Sequence, residues 1–142
     1  MREATGNALL TMMITSIIAV IMIFFVGSLS YSKSYKIKNY IVNEIEENKD
    51  WNESVRNTVD SYMKEVGYNV RGNDSSCSKV KADGCDDVSG QSSYNYCVFE
   101  CNKYSNKYYK VVTFTKFEFP IIGSVMKFEI KGETKTFNYF SS

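Results

Sequence analysis

Four cysteines, Cys77, Cys85, Cys97 and Cys101, fall within 25 residues and are the only thiols of the 142-residue chain. Thiols at this density either join as disulfides or hold a metal. An even, clustered set in a small domain behind an apolar segment reads as two disulfides. Residues 93–102 (SYNYCVFECN) have the Tyr, Val and Phe content of a strand. On a strand Cys97 and Cys101 share a face about 13 Å apart, and a disulfide spans at most about 7 Å between Cα atoms. Each therefore reaches back to Cys77 or Cys85. The nested pairing, Cys77–Cys101 with Cys85–Cys97, suits a hairpin-like loop, and the crossed pairing stays open. Either one staples loop 73–91, which is too polar to order itself by burial. The competing chemistry is a zinc site held by all four thiolates, but the spacings C-x7-C, C-x11-C and C-x3-C contain no C-x2-C knuckle. The same absence of C-x-x-C disfavours a redox-active pair.

Other chemistry is sparse. The chain has no histidine, and so lacks the commonest general base and metal ligand. The carboxylate pairs Glu46–Glu47 and Asp86–Asp87 sit in polar surroundings and read as solvated surface. Asp83, Asp86 and Asp87 do not have the spacing of an EF-hand. Asn52-Glu53-Ser54 and Asn73-Asp74-Ser75 match the glycosylation sequon, a pattern frequent by chance. Tyr104, Tyr108 and Tyr109 could stack on bases or sugars, but a half-buried strand face explains them equally. The sequence thus predicts no catalytic residue, no cofactor and no metal. The net charge of +1 is not gathered into a basic patch, so nothing points to nucleic acid as a partner.

The elements that position these residues begin with an uncharged stretch, residues 8–29. As a helix it reaches about 33 Å, enough for a hydrocarbon core of roughly 30 Å. Ser28 and Ser30 loosely imitate a signal cleavage site, but the apolar run exceeds a typical signal core, and a retained membrane helix is expected. Tyr31, Tyr35, Ile37, Ile41 and Ile45 continue the helical period, predicting one helix over 8–48, with Gly27 allowing a bend. Ala8, Thr11, Thr15 and Ala19 line one side of it. That stripe either permits close helix–helix packing or reflects hydroxyls bonded to their own backbone.

Asp50 followed by Glu53 resembles a capping box opening a second helix. Trp51, Val55, Val59, Tyr62, Met63 and Val66 would form its buried face, and Gly67 its end. Residues 69–91 read as loop, with Val70 and Val80 able to pair locally. From residue 93 the text turns to strands: 93–102, a turn at Ser105-Asn106, 108–119, a turn at 120–124, then 125–131 continued by 134–140 past a bulge at Gly132. Between Tyr94 and Phe140 lie 13 Tyr and Phe residues, enough large side chains to fill a small core. The expected class is α+β: a long membrane-anchored helix, a short helix and a small antiparallel sheet.

Orientation carries two opposed signals. Lys33, Lys36 and Lys38 follow the span with no acid before Glu44, which favours a cytoplasmic domain. Disulfides favour an oxidising compartment.

This layout resembles the type IV pilins and pseudopilins, and most closely the small TadE-like pseudopilins of tight-adherence pili. The opening Gly6-Asn7-Ala8-Leu9-Leu10 is similar to the glycine-led start of their apolar segments. The run from Val111-Val112-Thr113-Phe114 through Phe119-Pro120-Ile121-Ile122-Gly123 to Lys131-Gly132-Glu133-Thr134 is similar to their terminal hairpin. The resemblance implies a short leader, residues 1–7, processed between Gly6 and Asn7. It further implies a filament-core helix, 8–29, packing through Ala8, Thr11, Thr15 and Ala19, and an exported domain, 30–142. Its implied partners are the membrane, other pilin or pseudopilin subunits and a pilus assembly machinery, in adhesion or secretion. The implied location is a single-pass membrane protein with a cytoplasmic N-terminus, or an extracellular filament after assembly. One departure is plain: five residues after Gly6, where the family carries a glutamate that neutralises a neighbour's amino terminus, stands Thr11.

Overall fold

Residues 34–45 carry an apolar or small side chain every three or four positions, and on a helix those positions fall in one stripe. In a computed structural model, which describes residues 2–68, 77–90, 92–118 and 125–138, that stripe is the spine of an α+β domain. Helix α1, Arg2–Asn48, runs for 47 residues, about 70 Å at 1.5 Å per residue, and passes Gly27 as continuous α-helix. Its buried residues are Ser34, Ile37, Ile41 and Ile45. Tyr31 and Tyr35, expected in the same stripe, are instead exposed and stack on each other with ring centroids 6.4 Å apart.

Helix α2, Glu53–Glu65, is capped by Asn52, whose side-chain oxygen accepts the Val55 N–H at 3.0 Å. The expected Asp50 cap is therefore corrected: the chain enters the helix two residues later, and Asp50 is occupied elsewhere. Val55, Val59 and Met63 are buried, with Trp51, Tyr62 and Val66 packed at the edge of the core. The helix ends as a Schellman motif. Gly67, at φ +61°, donates its N–H to the Lys64 carbonyl, and the Tyr68 N–H reaches the Met63 carbonyl at 2.9 Å.

The strands are β1 (Cys85–Asp87), β2 (Tyr96–Lys103), β3 (Asn106–Glu118), β4 (Val125–Glu133) and β5 (Phe137–Asn138). They form an antiparallel sheet ordered β1-β2-β3-β4, with β5 following β4 along the same edge of β3. β1 lies inside the segment expected to be loop, preceded by a 3-10 turn at Cys77–Lys79. The β2–β3 turn is Tyr104-Ser105, one residue earlier than expected, between the paired Lys103 and Asn106. The expected turn at 120–124, and Val70, lie outside the described residues. Gly132 is not a bulge: it pairs in register with Val111. A Cβ there would come within 2.6 Å of the Lys38 side chain of α1, so this glycine leaves room for that lysine to lie over β4. The irregularity comes just after it, where Thr134, Lys135 and Thr136 stand opposite only Tyr108 and Tyr109. There the Tyr109 N–H bonds the Thr134 hydroxyl and the Thr134 N–H the Tyr109 carbonyl.

Alternation along the strands gives the sheet two buried faces. On one, Tyr96, Val98, Tyr109 and Val111 meet Ile37, Ile41 and Ile45 of α1 and Val55, Val59 and Met63 of α2. On the other, Cys97, Phe99, Cys101, Val112 and Phe114 are covered by Cys77, Val80, Ala82 and Cys85.

Candidate functional surface: the apolar helix and its domain

Among the described residues, nothing packs on the first half of α1. Its most apolar 18-residue window is wholly unburied, and by length and composition the helix could cross a membrane. Leu9, Leu10, Met12, Met13, Ile17, Ile18, Phe24 and Phe25 all stand more than half exposed. So much contiguous apolar surface marks a region that belongs against lipid or protein. Within the stripe Ala8, Thr11, Thr15 and Ala19, the Thr11 hydroxyl donates to the Asn7 carbonyl at 2.8 Å and Thr15 to the Thr11 carbonyl at 2.7 Å. Both hydroxyls are satisfied within their own helix. Gly6 and Asn7 lie inside α1 and are exposed, and Thr11 presents no charge.

At the far end of the domain, a charged cluster ties the α1–α2 corner to the β2–β3 hairpin. Lys107, with 11% of its side chain exposed, sits 2.9 Å from the Glu100 carboxylate and 3.4 Å from Asp50. The Tyr109 hydroxyl donates to Asp50 at 2.5 Å. That bond, aided by Lys107 against the opposing effect of burial, holds the Asp50 carboxyl below its ordinary value. Burial works against the Lys107 charge, but Tyr109 and Glu100 outweigh it and raise its pKa. Burial, then the Asp50 carboxylate, pushes Tyr109 up to about 12. With a buried tyrosine as hub and one lysine shared between two carboxylates, the cluster reads as a brace between the α1–α2 corner and the hairpin.

A second node lies where α2 returns to the sheet. The buried Tyr68 hydroxyl accepts the Phe114 N–H at 3.0 Å and lies 2.8 Å from the Phe114 carbonyl and 3.0 Å from that of Asn95. It stands in for a backbone rung just beyond the start of β2. Burial pushes its pKa up to about 12. No local sequence signal marks either tyrosine, because the principal partners of their hydroxyls, Asn95, Phe114 and Asp50, lie 27 to 59 residues away.

The cysteines close two bridges, Cys77–Cys97 and Cys85–Cys101, with Cα separations of 5.7 and 4.2 Å. The pairing is the crossed one, and the nested arrangement is not formed. β1 runs antiparallel to β2 with Cys85 directly opposite Cys101, which leaves Cys97 for Cys77. All four thiols are consumed, so none is left to ligate zinc. The loop is held further by the Trp51 indole N–H on the Val88 carbonyl at 2.8 Å and by Ser89, whose hydroxyl accepts the Val98 N–H. Residues 73–76 and 91 of the expected staple lie outside the described residues.

The remaining candidates are dispersed. Tyr104 is 97% exposed at the hairpin turn, Tyr109 is buried toward the helices, and Tyr108 lies on the opposite face, so the three form no common stacking platform. Glu46 accepts the Lys135 N–H, Asp86 pairs with Lys81, and Asp87 accepts from Ser89. No group of three or more His, Cys, Asp or Glu able to hold a metal occurs among the described residues. The arrangement defines an α+β domain carried on an apolar helix. No family model, curated protein or solved structure matches the chain.

Proposed function

We propose that the chain is a minor pilin or pseudopilin, a structural subunit of a type IV, Tad-like pilus or secretion filament, and not an enzyme. The observation that carries this reading is α1 itself: one unbroken helix, unburied and apolar over its first half, forming the core of the domain over its second. In this reading the apolar half stores the subunit in the bilayer, N-terminus toward the cytoplasm. It then packs against the helices of other subunits as the assembly machinery extracts it. Lys33, Lys36 and Lys38 then meet headgroups on the outer side, and the disulfides form in the exported domain. Intact mass and N-terminal sequencing of the protein from its native membranes test this, unreduced and then reduced. A mature start at Asn7 with two bridges supports processing and export. A Met1 start with free thiols removes the reading.

Thr11 favours a second reading, a membrane-tethered extracytoplasmic binding or sensing domain that never polymerises, because a hydroxyl bonded to Asn7 cannot neutralise a neighbour's amino terminus. Recovery of the chain in sheared extracellular filaments separates the two. A subunit is found there, whereas a tethered domain stays with the membrane.

A further inference from the structure

We propose that the domain binds the phosphate of an anionic lipid headgroup in the cavity beside the point where α1 leaves its apolar segment. This rests on α1 lying in a membrane, and not on filament assembly. The cavity, about 170 Å³, is lined by Ser30, Lys33 and Ser34 of α1, Gly67 and Tyr68 after α2, and Thr115 and Lys116 of β3. Two lysines and several hydroxyls line it, and among the described residues no carboxylate does.

Depth and chemistry agree. Lys33 lies four residues past Leu29, about 6 Å along the helix, which is the thickness of the headgroup layer beyond the hydrocarbon core. The Lys33 ammonium donates to the Gly67 carbonyl at 3.0 Å. This fixes it at the cavity and leaves two of its three N–H groups for a ligand. Thr115 is 2% exposed, and its hydroxyl oxygen has no hydrogen-bond partner among the described residues. A buried hydroxyl left unbonded is costly, and an occupant with acceptor oxygens would satisfy it. The Lys33 ammonium and an unspent hydroxyl, with Lys116 as a second lysine and no acid among the described lining residues, select an anion with several oxygens. At this depth the phosphate of a lipid is such a group.

The test uses the full chain in mixed micelles holding equal phosphatidylglycerol and the phosphate-free, neutral diglucosyldiacylglycerol, with retained lipid read by native mass spectrometry. One phosphatidylglycerol should be retained in about tenfold preference, the worth of one charge-assisted hydrogen bond. K33Q and K116Q should abolish the preference. K36Q removes the same charge from an exposed residue that does not line the cavity, and should keep it. T115V should lower retention several-fold while melting no lower than the parent in diglucosyldiacylglycerol alone. Loss of preference in K36Q equal to that in K33Q would reduce the effect to diffuse attraction and overturn the site. A T115V protein that melts lower without anionic lipid would show the hydroxyl already bonded within the protein, with the same consequence. Displacement of the lipid by millimolar inorganic phosphate would assign the site to the free anion instead. Flotation with phosphatidylcholine vesicles reports insertion of α1 separately, and a chain that does not float loses the membrane reading and this site together.

Discussion

At the scale of single residues, stability is concentrated in side chains whose partners are remote in sequence. Tyr109 is the clearest. Its ring is buried in the helix-facing core, and its hydroxyl reaches Asp50 beside Lys107. Y109F keeps the packing and deletes the bond, so the full chain in detergent should lose about 1 kcal/mol at neutral pH, the charged hydrogen bond being discounted for the exposure of Asp50. The pH profile should change as well. Asp50 is held below its ordinary value, so its contribution is complete above that value and vanishes as pH falls through the lower folded one. Denaturant unfolding between about pH 7 and pH 3 should show a flatter acid limb in Y109F than in the parent. An unchanged acid limb would mean that the bond does not form in solution. Lys107, whose pKa is raised, acts in the opposite sense: its stabilisation holds below the ordinary lysine value and fades above it.

At the scale of elements, the disulfides decide what an otherwise weak segment does. β1 is Cys85-Asp86-Asp87, and aspartate is among the poorest strand formers. Pairing with β2 and the bridge across that pair hold it in place. Peptide mapping should recover Cys77 joined to Cys97 and Cys85 joined to Cys101. Removing the second bridge as C85A/C101A should cost roughly 3 kcal/mol, as expected for closing a loop of this length. A Cys97–Cys101 peptide would overturn the strand assignment of β2. The same segment shows where sequence reading stops. Both helices were legible because a 3.6-residue period needs only local counting, and β2 and β3 because β-branched and aromatic residues crowd together. The staple was legible as two bridges, and its crossed connectivity was not, since that follows from a register between β1 and β2 that no local pattern announces. The Asp50 cap failed for a related reason. Capping chemistry is common to Asp and Asn, and the choice of Asn52 was set by Lys107 and Tyr109 claiming Asp50 from more than 50 residues away. The apolar helix face was legible as a surface, while the cavity beside it, assembled from α1, α2 and β3, had no signature in any one of them.

At the scale of the whole molecule, the two halves of α1 do different work. Every described residue of the helix-facing core lies at or beyond Ile37, so among the described residues the apolar half adds nothing to the packing of the domain. A variant lacking residues 2–29 should fold with both bridges formed and run as a detergent-free monomer in size-exclusion chromatography with light scattering. The full chain should require detergent or lipid. A truncated protein that aggregates would show that the apolar half shields part of the domain.

Were its apolar half in a bilayer, α1, with no break at Gly27, would be a lever: any change in its tilt would be transmitted to the folded part. From Leu29 to Asn48 the arm is close to 30 Å, so a tilt of about 20° swings its far end by about 10 Å. Bilayer thickness, one influence on such tilts, would thereby bear on where the β2–β3 hairpin points.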